Sequence, residues 1–212
     1  MPFLDDNYLL SSEAAVRLYR EVEGLPIVDA HNHLDLDAIL ANRPWKDIWE
    51  VEGATDHYMW EMMRRRGVSE DLITGSAANH DKWKALCLIF PELVGNPAYE
   101  WVHLDLKRRF LISSVLCEEN AEFIWNKVKA ELKEERMLPQ EQLKELKVEI
   151  MCTTDDPTIS LPAHEKAAAE ISCTRVLPTW RPDKCTDPGH PRWKPFIEPL
   201  GEECGEDASR LQ

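Results

Sequence analysis

Leu25-Pro26-Ile27-Val28-Asp29-Ala30-His31-Asn32-His33-Leu34 is a short apolar run that leads directly into two histidines two residues apart. Ile27 and Val28 are β-branched, Gly24 and Pro26 punctuate the start, and a polar, aromatic segment follows, so the stretch reads as a buried strand ending at the histidines. Alternate residues of a strand face the same way, and a rise of about 3.3 Å per residue lets both imidazoles reach one metal ion. Asn32 faces the other side. With 7 histidines in 212 residues the triplet alone is a weak motif, because a hydrogen-bonded structural pair has the same spacing. The surrounding chain has to decide.

Two later stretches share this character. Val148-Glu149-Ile150-Met151-Cys152-Thr153-Thr154 reads as a second strand, stopped by Asp155-Asp156-Pro157. Thr174-Arg175-Val176-Leu177-Pro178-Thr179-Trp180 reads as a third, ended at Arg181-Pro182-Asp183. Between them the pattern predicts a helix from about Ala163 to Ile171, capped by Ser160, and a further helix starts near Pro195 and Phe196. Strand, helix, strand with short connections is the rhythm of parallel βαβ units. The three strand ends carry His31 and His33, Asp155 and Asp156, and Arg181 and Asp183, and ligand sites of parallel α/β sheets lie at that edge.

The chain ahead of the first strand and between the first two is helical in pattern. Ser11 and Ser12 cap a helix with Ala15, Leu18, Tyr19 and Val22 on one face, which should pack ahead of the first strand, with Gly24 as its stop. After a loop through Pro44, Trp45 and Trp49, Thr55 is the expected cap of a helix that opens with His57 and Tyr58 and buries Met59, Met62 and Met63. Helices through Trp83 and Cys87, through Tyr99, His103 and Phe110, and from Glu118 to about Arg136 follow, and Pro139 opens a shorter one carrying Leu143 and Leu146. The organisation expected is 1–34 as N-terminal helix and first strand, 35–146 as a helical insertion, and 147–212 as the second and third strands with their helices.

Composition narrows the partners. With 43% apolar residues the chain can build a core, and a formal charge of -14, from 39 acidic against 25 basic residues, repels nucleic acid and anionic membrane surfaces. Six cysteines without Cys-x-x-Cys spacing, and Asp5 and Asp6 where a signal peptide would carry lysines, predict a reduced, cytoplasmic protein.

Five motifs in order carry a family resemblance: Asp29-Ala30-His31-Asn32-His33-Leu34, Asp56-His57-Tyr58-Met59-Trp60, Trp101-Val102-His103-Leu104-Asp105-Leu106, Cys152-Thr153-Thr154-Asp155-Asp156-Pro157, and Val176-Leu177-Pro178-Thr179-Trp180-Arg181-Pro182-Asp183. The chain resembles the N-terminal part of the uronate (glucuronate) isomerases of the amidohydrolase superfamily. The resemblance implies the N-terminal portion of a distorted (β/α)8 TIM barrel with a helical insertion between the first and second strands. It implies aldose–ketose isomerisation of D-glucuronate to D-fructuronate and of D-galacturonate to D-tagaturonate, a divalent metal such as zinc on His31 and His33, and no organic cofactor. Substrate contacts are implied for His57, Tyr58 and Arg181, with His57 and Tyr58 as catalytic groups and Tyr58 as a proton donor or hydrogen-bond partner to a sugar oxygen.

The family draws a metal-ligating aspartate and a neighbouring arginine from its last barrel strand, whereas this chain shows three strands and a barrel takes about 250 residues. The expectation is a truncated chain, inactive by itself, that associates with the missing C-terminal part or with copies of itself. Asp155 and Asp156 read as a turn and helix cap, His103 and Asp183 as structural groups, and the cysteines as small buried hydrophobes. Two alternatives stay open: a metal-dependent hydrolase of the same superfamily, and a non-catalytic remnant whose sheet edge pairs with a partner chain.

Overall fold

The computed structural model describes residues 3–156, 158 and 161–205. Its strands are β1 (Ile27–Asp29), β2 (Val148–Thr154) and β3 (Arg175–Thr179). Its helices are α1 (Glu13–Val22), α2 (Leu36–Ala41), α3 (Ile48–Glu52), α4 (His57–Arg65), α5 (Asn79–Ile89), α6 (Pro97–Phe110), α7 (Ala121–Glu131), α8 (Pro139–Glu145), α9 (Pro162–Glu170) and α10 (Trp193–Cys204). The chain divides into two compact units, one from Met1–Gly24 with Pro44–Leu138 and the other from Leu25–Arg43 with Pro139–Gln212. Among the described residues no helix is long and apolar enough to cross a membrane.

The second unit holds a parallel sheet in the order β1-β2-β3, with Val28 opposite Ile150 and Met151 opposite Val176. α9 is the crossover between β2 and β3, and Leu36, Ile39, Leu143, Val148, Met151, Ala167, Ile171 and Val176 form the unit's core. Pro162 fills the first position of α9, where a missing N–H costs nothing, and Leu161 holds the N-cap position without a side-chain bond. The expected cap Ser160, and Pro157 of the turn motif, lie outside the described residues.

β1 is shorter and less buried than its sequence suggests. Ile27 and Val28 are exposed, because β1 pairs with β2 on one side and has no second strand neighbour among the described residues. The strand ends at Asp29, before the histidines: its carboxylate accepts from the His31 amide at 3.2 Å and from Asn32 Nδ2 at 2.7 Å, a local turn that replaces the ladder. The segment stays beside β2 because Asn32 N donates to Cys152 O at 2.8 Å and Thr154 Oγ1 donates to Asn32 O at 2.6 Å.

The other unit is helical, with Trp83, Leu86, Cys87, Phe90, Leu106 and Phe110 wholly buried. Trp83 donates its indole N–H to Ala121 O at 3.0 Å. His103 is the structural group expected: Leu116 N donates to its Nε2 at 2.8 Å, so Nδ1–H donates to Tyr99 O at 2.6 Å, and burial pushes its pKa down.

Several local expectations need correction. The stretch after His33 is not one loop, since Asp35 caps α2 and Asp47 caps α3. Asp56, not Thr55, caps α4, accepting from the amides of Tyr58 at 2.8 Å and Met59 at 3.2 Å. The apolar stripe of α1 enters no core: Leu18, Tyr19 and Val22 are exposed. Leu146 is exposed because α8 ends at Glu145 and the chain turns at Lys147, which has φ +54°. Of the six cysteines, all free, only Cys87 is buried and Cys204 is exposed.

Glu52, in α3, is a buried acid. Desolvation first, then the negative charge of Asp105, hold its carboxyl well above the usual carboxylate range, against the opposing charge of Arg109. An unfolded glutamate releases its proton near pH 4.3 while the folded one keeps it, so stability falls as pH rises from there through the folded pKa. Glu52→Gln mimics the protonated form and should raise stability at pH 7 by about 1–3 kcal/mol. Calorimetry at pH 7 and at pH 4.5 should show the gain shrinking at the lower pH; an equal gain at both would contradict the assignment.

Candidate functional site

At the C-terminal ends of β1, β2 and β3, within the sheet unit, lies a cavity of about 560 Å³ whose lining includes His33, Asp37, Thr153, Asp155, His164 and Arg181. Parallel strands put all their chain exits on one edge, so the loops after the three strands converge there.

His31 and His33 meet as expected, just past the end of β1. Their Nε2 atoms are 2.8 Å apart, with ring centroids at 4.7 Å and an interplanar angle of 75°. Two nitrogens on a tetrahedral zinc would stand roughly 3.3 Å apart, so a small opening of the rings would admit an ion. The pair therefore fits a metal as two of its ligands. Among the described residues no group of three or more His, Cys, Asp or Glu side chains comes together to hold one.

Arg181, after β3, donates Nε–H to Asp183 Oδ2 at 3.0 Å, which holds the Asp183 carboxyl below its usual range. Its terminal guanidinium nitrogens have no hydrogen-bond partner among the described residues. Asp183 is thus structural in the sense expected, and it fixes the direction of the guanidinium.

The adjacent aspartates after β2 do different things. Asp156 is the turn residue, accepting from Thr158 N at 3.0 Å and Thr158 Oγ1 at 2.8 Å, and it pairs with Lys184, the first cause of its lowered pKa. Asp155 takes no part in that turn. Its Oδ2 accepts from Thr153 Oγ1 at 2.5 Å and lies 3.4 Å from His164 Nε2. The turn-and-cap reading therefore holds for Asp156 as a turn and fails for Asp155.

His164 is the residue that sequence reasoning missed. It stands in the first turn of α9, 8% exposed, with Nε2 2.7 Å from Thr153 Oγ1 and Nδ1 without a partner among the described residues. An unpaired buried polar atom costs about 1–3 kcal/mol, so packing alone does not account for it. The signal available was a lone histidine in the alanine-rich crossover between two strands.

His57 and Tyr58 occupy the first turn of α4 in the helical unit, with ring centroids 4.2 Å apart and Tyr58 exposed. They do not belong to the lining of the cavity just described, which comes entirely from the sheet unit.

A family model described as glucuronate isomerase matches residues 1–212. The uronate isomerase of Thermotoga maritima is 56% identical over 209 residues, covering 99% of this chain and 46% of that protein. The uronate isomerase of Bacillus pumilus is 39% identical over 201 residues, covering 94% of this chain and 42% of that protein. Among solved structures, the uronate isomerase of Thermotoga maritima matches with a TM-score of 0.92 at 55% identity, over 100% of this chain and 46% of that one. The glucuronate isomerase of Caulobacter crescentus matches with a TM-score of 0.81 at 25% identity, over 92% of this chain and 44% of that one. The chain spans about half the length of the curated relatives it matches.

Proposed function

The chain belongs to the glucuronate isomerase family, and from that premise we propose that it supplies the N-terminal half of an enzyme interconverting aldo- and ketohexuronates, D-glucuronate with D-fructuronate and D-galacturonate with D-tagaturonate. The three strands are then the first of a distorted (β/α)8 barrel, and the helical unit is largely its insertion. The observation that carries the reading is one cavity at the strand ends that holds a metal-type imidazole and a guanidinium with free donors.

His31 and His33 would hold a divalent ion, zinc in the first instance, and when bound such an ion polarises a sugar oxygen. Arg181 receives the hexuronate carboxylate on its terminal nitrogens, with Asp183 keeping the fork in place. His57 and Tyr58 are carried as substrate contacts on the support of the motif resemblance, Tyr58 as a hydrogen-bond partner or proton donor to a sugar oxygen. The reaction moves hydrogen within one molecule and calls for no organic cofactor. The acidic surface supports a small-molecule substrate rather than nucleic acid or membrane, and six free cysteines support a cytoplasmic setting. The partner it needs is the remaining C-terminal part, alone or within a homo-oligomer.

The test is to co-produce this chain with the C-terminal part of the Thermotoga maritima relative and follow ketose formation from D-glucuronate. Ketose should accumulate. Hydrolysis of lactones or amides without uronate turnover would favour the superfamily hydrolase instead. Arg181→Lys in the same enzyme keeps the charge and loses the fork, so KM for uronate should rise about 10- to 100-fold. An unchanged KM would remove Arg181 from substrate binding.

A further inference from the structure

We propose that Asp155 is the catalytic base that carries the proton between C1 and C2 of the sugar, and that His164, acting through Thr153, is the positioning residue that fixes its carboxylate. The proposal rests on the isomerase reading above and adds to it the group that reading leaves unnamed.

The proton count sets the direction of the chain. A threonine hydroxyl has one hydrogen to give, and an ionised carboxylate can only accept. At 2.5 Å from Asp155 Oδ2, against 3.4 Å from Leu177 O, the Thr153 hydrogen goes to the carboxylate. His164 Nε2, 2.7 Å from the same hydroxyl oxygen, must then be the donor. His164, Thr153 and Asp155 form a line of donors that ends on one carboxylate oxygen. The other oxygen, Oδ1, has no partner among the described residues. One oxygen held and one free is the arrangement a positioned base requires.

The two buried histidines make the contrast. His103 has both ring nitrogens engaged by backbone groups, as a packing histidine should. His164 is as well buried, spends one nitrogen on Thr153 and leaves Nδ1 unpartnered among the described residues.

The other polar groups of the cavity are unsuited to the task. Arg181 presents only N–H donors, and His33 is committed to His31. Asp35 caps α2, while Asp37 is exposed with no group holding it among the described residues. Asp156, next in sequence, is bound to Thr158 and Lys184.

The step balances without a co-reactant. In the open-chain aldose the C2–H bond breaks, the proton passes to Asp155 Oδ1, the electron pair forms C1=C2, and O1 takes a proton from water. Asp155 then returns its proton to C1 while O2–H gives its proton to the hydroxide left by that water, restoring it as the C2 carbonyl forms.

The test uses the complemented enzyme with D-glucuronate. Asp155→Asn keeps the shape and removes the base, so kcat should fall about 10²- to 10⁴-fold with KM within about threefold, and exchange of the C2 hydrogen with deuterated water should cease. Bound metal should be unchanged. Thr153→Val should lower kcat at constant KM, and Thr153→Ser should restore it, which a packing role would not do. Asp155→Asn that keeps kcat, or that loses the metal, overturns the proposal. Should that variant fail to fold, equal rates for Thr153→Val and Thr153→Ser overturn it. A complemented wild type inert on uronates overturns the isomerase reading itself, whereas an active wild type with an active Asp155→Asn overturns only the assignment of the base.

Discussion

Replacing His31 and His33 together by alanine is expected to abolish the divalent-metal binding proposed for the complemented enzyme and to lower uronate turnover by at least about 10³-fold, since oxygen polarisation by an ion contributes several kcal/mol to such a step. The pair presents two Nε2 atoms 2.8 Å apart, with His33 in the cavity lining, and Asp29 sets the local backbone by accepting from the His31 amide and from Asn32. Both histidines are exposed, so their loss should leave the unfolding midpoint within a degree or two, and loss of metal can be told from loss of fold. Either single replacement should weaken metal retention less than the double one, because one imidazole remains. Metal content measured by elemental analysis that stays stoichiometric in the double variant would remove the pair from the metal site.

Produced alone, residues 1–212 are expected to show no measurable isomerisation, even if they keep some affinity for zinc. The chain covers 46% of the Thermotoga maritima relative, so more than half of that protein's length has no counterpart in it. Within the described residues β1 and β3 each have one strand neighbour, and Ile27 and Val28 stand exposed on β1. Unpaired edges and uncovered apolar side chains favour association, which should appear as concentration-dependent oligomers in light scattering. Two imidazoles leave a tetrahedral ion open on at least two sides, and a solvent-exposed site forfeits the preorganisation that speeds the reaction. Turnover by the zinc-loaded chain within about tenfold of the complemented enzyme would show the site to be complete without the remainder, since a difference that small is only about 1.4 kcal/mol.

The two parallel pairings and the helix faces were legible because they are written in local periods. Strand-type residues bounded by turn residues marked Val148–Thr154 and Arg175–Thr179, and the i, i+3, i+4 spacing of Met59, Met62 and Met63 marked a buried helix face. The convergence of His31 and His33 was legible for the same reason, since two residues apart is a distance that the backbone itself controls. Even there the periodic reading overreached: β1 stops at Asp29, because a side-chain carboxylate competed for the amide that the ladder would have used. In α1 the periodic stripe Leu18, Tyr19, Val22 is real, yet nothing described covers it.

What the sequence determined by itself is therefore the order of the three strands and the longer helices, the polar residues at the strand ends, and the approach of the two histidines, all set by neighbours within a few residues along the chain. What only the tertiary structure decided is the division of labour between Asp155 and Asp156, the burial of Glu52, and the recruitment of His164. Thr153 meets His164 across 11 positions and Leu177 across 24, and Asp156 meets Lys184 across 28. Contacts of that span exist once α9 has crossed over and β3 has paired with β2, and desolvation depends on every side chain that closes over a group. No local period encodes either.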